Sequence, residues 1–166
     1  MILAQKVAKY FLAAFLITII IAMLFDFMVY MVYDQDALTQ IYLAGQYVSN
    51  IPADPTQLAL GKVVPADDET IMREFGKFAN ATFLQLSEGR VSVSGTNTDM
   101  VYTFHVNKYL IKNIWIECKI ITYNGVKGVK ITLDYQIDPL SNLIGKNDLG
   151  LILNAFKVRN FRLIGG

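Results

Sequence analysis

Residues 10–25 read YFLAAFLITIIIAMLF, sixteen consecutive positions without a charge. A helix that is apolar on every side has no face to give to water, so protein or lipid must cover it. Sixteen residues rise about 24 Å as a helix, short of the ~30 Å hydrocarbon core of a bilayer. Asp26 interrupts the run and FMVYMVY (27–33) resumes it. Extended to Tyr33 the stretch has 24 residues and about 36 Å of rise, enough for a tilted span. Lys6 and Lys9 precede it, and Asp34 and Asp36 follow it. That order of flanks predicts a cytoplasmic N-terminus with the remaining chain outside the membrane. Residues 1–33 therefore read as a transmembrane segment, with Tyr30 and Tyr33 in an outer interfacial aromatic belt. A cleaved signal peptide and a buried core helix are the rivals. No small-x-small cleavage site follows the run, where Asp26-Phe27-Met28 stands instead. A core helix would leave both lysines and an all-round apolar surface to be covered.

Asp26 has two readings. A carboxylate inside an apolar helix costs a few kcal/mol and marks a pair or a relay, here with a basic group on a neighbouring subunit. Alternatively it sits at headgroup level and ends the span.

The remaining chain, residues 34–166, reads as one extracytoplasmic domain. Residues 34–51 keep helical spacing through Leu38, Ile41, Tyr42, Gly45 and Val48, which predicts that the span continues as an amphipathic stalk. Those five residues and Asp26 form the candidate assembly helix. Pro52 and Pro55 stop it, and residues 52–66 read as an irregular connector. Asp67-Asp68-Glu69 supplies an N-cap and acidic first turn for a short helix over 67–79. From residue 90 the apolar period becomes two, with turns at Gly95–Thr98 and at Asn124-Gly125, the strongest hairpin signal in the chain. A polar loop over 139–150 precedes a last strand over about 151–163, whose alternation slips near Asn160 as a bulge would make it. The fold class is α+β: a long N-terminal helix packed on a four- to five-stranded antiparallel meander (90–164), with one short extra helix.

Chemistry-bearing residues are sparse. Removing Lys6, Lys9 and Asp26 from the totals leaves 13 basic and 13 acidic residues, so no net field draws in nucleic acid. His105 is the only histidine and Cys118 the only cysteine. His105 reads as an exposed strand residue and Cys118, in phase with isoleucines, as a small core residue. Asn80-Ala81-Thr82 matches a glycosylation sequon, and Gly145-Lys146-Asn147 lacks the remaining positions of a phosphate loop. No catalytic constellation emerges, and neither a metal, a cofactor nor a small-molecule substrate is expected. Lys157 and Arg159 share one strand face, with Arg162 beyond; the group reads as a solvated, edge-protecting face or as a partner-binding patch.

The stretch from Phe15 to Asn50 resembles the N-terminal helix of TadE-like minor pilins, a type IV pilin-like (pseudopilin) family. The similarity lies in the acidic-aromatic step Phe25-Asp26-Phe27, in Gln35-x-Ala37-Leu38, and in Ala44-Gly45-Gln46-Tyr47. It continues in the strand from Lys130 to Ile137, the Pro139-Leu140 loop, and a final strand carrying Arg159 or Arg162. Pilin-like proteins of this kind also occur in conjugative clusters of Gram-positive bacteria. Type IV prepilins carry a glutamate five positions after their cleavage point, whereas this chain has none before Glu69. The resemblance implies a structural, non-enzymatic subunit of a pilus, secretion or conjugation apparatus, held in the lipid bilayer and oligomerising with like subunits. The alternative is a single-pass scaffold that forms no filament.

Overall fold

The computed structural model describes residues 2–52, 54–108, 110–140 and 153–164. Helix α1 runs unbroken from Ile2 to Ser49, so the apolar run and the stalk are one element of 48 residues. It is long and apolar enough to cross a membrane. Pro52 follows its end, where a proline cannot continue a helix. The connector is not wholly irregular: α2 (Pro55–Ala59) forms one turn, with Pro55 opening it and the Asp54 carboxylate accepting from Thr56 N–H. Proline at a first helical position loses nothing, because that N–H has no intrahelical partner. Helix α3 spans Asp68–Phe83, four residues beyond the expected end. Asp67 caps it, its Oδ1 2.6 Å from Thr70 N. The added turn carries the sequon and brings Phe83 into the core.

Five strands follow as a meander: β1 (Val91–Thr96), β2 (Asp99–Lys108), β3 (Ile111–Tyr123), β4 (Val126–Ile137) and β5 (Leu153–Arg162). They pair antiparallel in sequence order. Asn124 and Gly125 both take positive φ, 52° and 77°, the geometry a two-residue hairpin turn needs to match the strands' twist. Most of the expected loop and the start of the expected last strand (141–152) lie outside the described residues. The bulge expected near Asn160 is not there, since Asn160 pairs in register with Lys130 and its neighbours continue without a shift. Register shifts occur instead at the β2–β3 turn, between His105 and Lys108 and between Ile111 and Asn113.

One face of the sheet carries the core. Tyr102, Phe104, Ile114, Ile116, Cys118, Ile131, Leu133 and Tyr135 are all buried there. Helix α3 covers β2 and β3, and the C-terminal half of α1 covers β4 and β5. Two glycines allow the close approach. A Cβ at Gly45 would overlap the Phe161 ring, and one at Gly76 would overlap the Tyr102 hydroxyl. Each fully buried Ile, Leu or Phe contributes about 1.5–3 kcal/mol relative to exposure. The sheet and its two helical covers therefore hold together without any disulfide.

Candidate assembly helix and its junction with the sheet

Helix α1 divides at Asp26. On its N-terminal side the large apolar residues, among them Tyr10, Phe11, Phe15, Ile20, Met23 and Leu24, are exposed. On its C-terminal side one stripe is buried: Ala37, Ile41, Ala44, Gly45 and Val48 lie against the sheet. The seam sits one residue away from part of the expected assembly stripe. Ile41, Gly45 and Val48 are taken up by the chain's own sheet, Leu38 is half-buried at its edge, and Tyr42 stays exposed. Ala37, Leu38, Ile41, Tyr42, Ala44, Gly45 and Val48 offer two adjacent apolar or small stripes, and residue spacing alone could not choose between them.

Asp26 is 7% exposed, and its Oδ1 accepts from the backbone N–H of Leu140 at 2.6 Å. That amide belongs to the same chain, 114 positions away. The domain covers Asp26 at this level of the helix. A buried carboxylate needs such donors, because losing water without replacement costs several kcal/mol. Tyr30 and Tyr33 are half-buried and pack on the protein at this level. The Tyr33 ring lies 5.6 Å from that of Tyr135, and Tyr30 packs on the core. Packing between α1 and the sheet domain thus starts at Asp26.

A polar seam continues below it. Asp36 Oδ2 accepts from the Tyr135 hydroxyl at 2.6 Å, and Lys157 Nζ meets Asp34 Oδ1 at 2.6 Å. Burial, followed by the Asp36 contact, pushes the Tyr135 phenol well above its ordinary range. The Arg159 guanidinium lies 5.7 Å from the centroid of the Tyr42 ring, a cation–π contact. Tyr42 also meets Phe161 edge-on at 6.2 Å. Lys157 and Arg159 therefore share a face, as their spacing predicts, but it is the face under α1. Lys157 is half-buried against Asp34, whereas Arg159 stays exposed while contacting the Tyr42 ring. Arg162 points to the opposite face of β5. Sequence reasoning missed Asp34, Asp36 and Tyr135 as a set. Their signal was the presence of two acids at the domain side of an otherwise apolar helix, which was spent on membrane orientation.

Among the described residues no helix lies over the other sheet face. His105 is exposed there, with Nδ1 2.8 Å from Asn113 Oδ1, while Asn113 Nδ2 donates to Gln136 Oε1 at 2.8 Å. Asp134 is 9% exposed and its Oδ1 has no hydrogen-bond partner among the described residues. Burial raises its pKa. Cys118 is buried, and burial, reinforced by Asp99 and Glu117, pushes its thiol up to about 12. A thiol in that state is a core residue and not a nucleophile. Among the described residues no three His, Cys, Asp or Glu side chains are placed to hold a metal ion. No family model, no curated protein and no solved structure matches the chain.

Proposed function

We propose that this chain is a membrane-anchored, pilin-like structural subunit that assembles through the exposed N-terminal part of α1. Its N-terminus would be cytoplasmic and its α+β domain extracytoplasmic. The observation that carries this reading is the division of one continuous helix at Asp26. The domain half is buried against its own sheet, whereas the apolar half from Val7 to Phe25 is left bare. Such a surface is stable only in lipid or against other apolar helices. Partners would be the bilayer and further pilin-like or secretion-apparatus subunits. Cysteine-scanning crosslinking along residues 10–25 in intact membranes tests it. A ladder of multimers whose yield follows one helical stripe is the expected result. Monomer alone at every position refutes assembly through this element.

A single-pass scaffold that forms no filament is favoured by a different observation. Asp26, Ile41, Gly45 and Val48 are satisfied within the chain, which leaves the stalk less surface for lateral subunits. The same experiment separates the two readings, because a scaffold gives one discrete heteromer in place of a ladder.

A further inference from the structure

The edge of the domain nearest Asp26 is built from two parts of the sheet. One is the segment just after β4, where the Leu140 amide reaches Asp26. The other is the β2–β3 turn, where the Leu110 carbonyl accepts from Asp138 N–H at 2.7 Å. Leu110 itself adopts φ 64°, a left-handed conformation that a branched side chain adopts only under constraint. This conformation sets Leu110 beside α1. Between them lies an apolar groove of about 310 Å³, lined by Phe25, Met28, Val29, Val32, Tyr33 and Leu110.

The length of the apolar belt fixes the level of this groove. A ~30 Å hydrocarbon core takes about 20 helical residues. Counted from Tyr10, the first position after the lysines, it ends near Val29, beyond Asp26. The exposed surface of α1 agrees. Phe27, Met28, Met31 and Val32 are exposed, Val32 by 65%, and the first exposed polar residue after them is Gln35. Apolar surface thus extends below the point where packing on the domain starts, on the side of the helix that the domain leaves open. Leu110 lies at that same depth. Lys112, two positions on, is exposed, and a long cationic side chain can reach from such a position to the phosphates; Lys108, on the other flank, is paired with Glu88.

We propose that the β2–β3 turn is a second membrane contact, with Leu110 seated at the outer hydrocarbon boundary and lipid acyl chains filling the groove between it and α1. This rests on the membrane reading above. The domain would stand with this edge in the headgroup layer and not out on a free stalk. Asp26, inside the apolar belt by depth, is kept from lipid by the same edge.

The test uses the full chain in vesicles of phosphatidylcholine and phosphatidylglycerol carrying a doxyl-labelled phosphatidylcholine quencher. Phe15→Cys, Leu110→Cys and Tyr123→Cys are each labelled with an environment-sensitive fluorophore. The buried Cys118 thiol, pushed up to about 12, stays unlabelled. Tyr123 is 74% exposed at the opposite end of β3, on the order of 40 Å away along the strand. The expected result is blue-shifted, lipid-quenched emission at 15 and 110, and neither at 123. Quenching at 15 with 110 behaving like 123 overturns the proposal and leaves the anchor standing. No quenching at 15 removes both. A blue-shifted but unquenched label at 110 that crosslinks to a second copy's helix also overturns it, since the groove then holds protein. Where Leu110→Cys does not yield folded protein, a label at Lys112→Cys gives the same reading.

Discussion

The Asp26 carboxylate and the Leu140 amide join α1, where its bare half ends, to the segment that follows β4, and replacing Asp26 by Leu tests whether that joint is internal to the chain. The substitution keeps the branched shape, with bulkier methyl groups, but removes the acceptor 2.6 Å from Leu140 N. A hydrogen bond to a charged acceptor is worth about 1.5–3 kcal/mol, and the donor left behind is buried and unpaired. Against this stands a gain, for Leu also removes a carboxylate whose desolvation opposes folding. The two terms are of similar size and opposite sign, so global stability is a poor readout and the local one decides. Amide exchange of the peptide containing Leu140 should rise by roughly 10- to 150-fold in Asp26→Leu, the equivalent of the lost bond. Asp26→Asn keeps an oxygen acceptor and should rise far less. Both variants should crosslink along residues 10–25 as the parent does, because no neighbouring subunit is needed to satisfy Asp26. If exchange at Leu140 is unchanged in Asp26→Leu while crosslinking collapses, the carboxylate serves another subunit and the internal joint is refuted.

Three further outcomes follow from the geometry. Gly45→Ala places a methyl into the Phe161 ring and should destabilise the domain by about 1–3 kcal/mol; Phe161→Leu in the same chain should recover part of that, measured as coupling in a double-mutant cycle by chemical denaturation. Tyr135→Phe leaves Asp36 without its 2.6 Å donor and should cost about 1–2 kcal/mol, with Asp36→Asn partly restoring the loss. Asp134→Asn should stabilise the domain at neutral pH, read as a higher midpoint in thermal melts. The sign follows from the raised folded-state pKa of Asp134, which starts from 3.8. Between that value and the folded one the native state holds more protons, so wild-type stability falls as pH rises through the window. The advantage of Asn should disappear below 3.8, and a gain that persists there would contradict the assignment.

Most of the sheet was legible because period-two alternation is a local signal. Val129, Ile131, Leu133, Tyr135 and Ile137 had to share a face, and all are buried. The apparent bulge near Asn160 shows where that signal fails. On the helix-facing side of β5, Lys157 and Arg159 stand where apolar residues would complete the pattern. Asp34 and the Tyr42 ring on α1 compensate them, so the hydrophobic alternation breaks while the backbone pairing does not. The junction was opaque for a related reason. Asp26 and Leu140, like Asp36 and Tyr135, are separated by about a hundred positions, and no local pattern encodes which amide or hydroxyl meets which acid. The one-turn helix α2 was hidden by its prolines, which read as breakers although Pro55 opens the turn. The bare N-terminal half was fully legible, since its surface is determined by composition alone.

The continuity of α1 across Asp26 has a mechanical consequence. With no break between Ile2 and Ser49, the bare half and the sheet share one rotational phase. Each residue inserted between Phe25 and the first sheet-packed turns would swing the two by about 100° about the helix axis. A single insertion would aim the same lipid- or subunit-facing stripe at a different flank of the domain. An insertion of seven or eleven residues would return it to within about 20°, though lifted farther along the axis. The helix acts here as a torsionally stiff shaft, and what it transmits from one end to the other is direction.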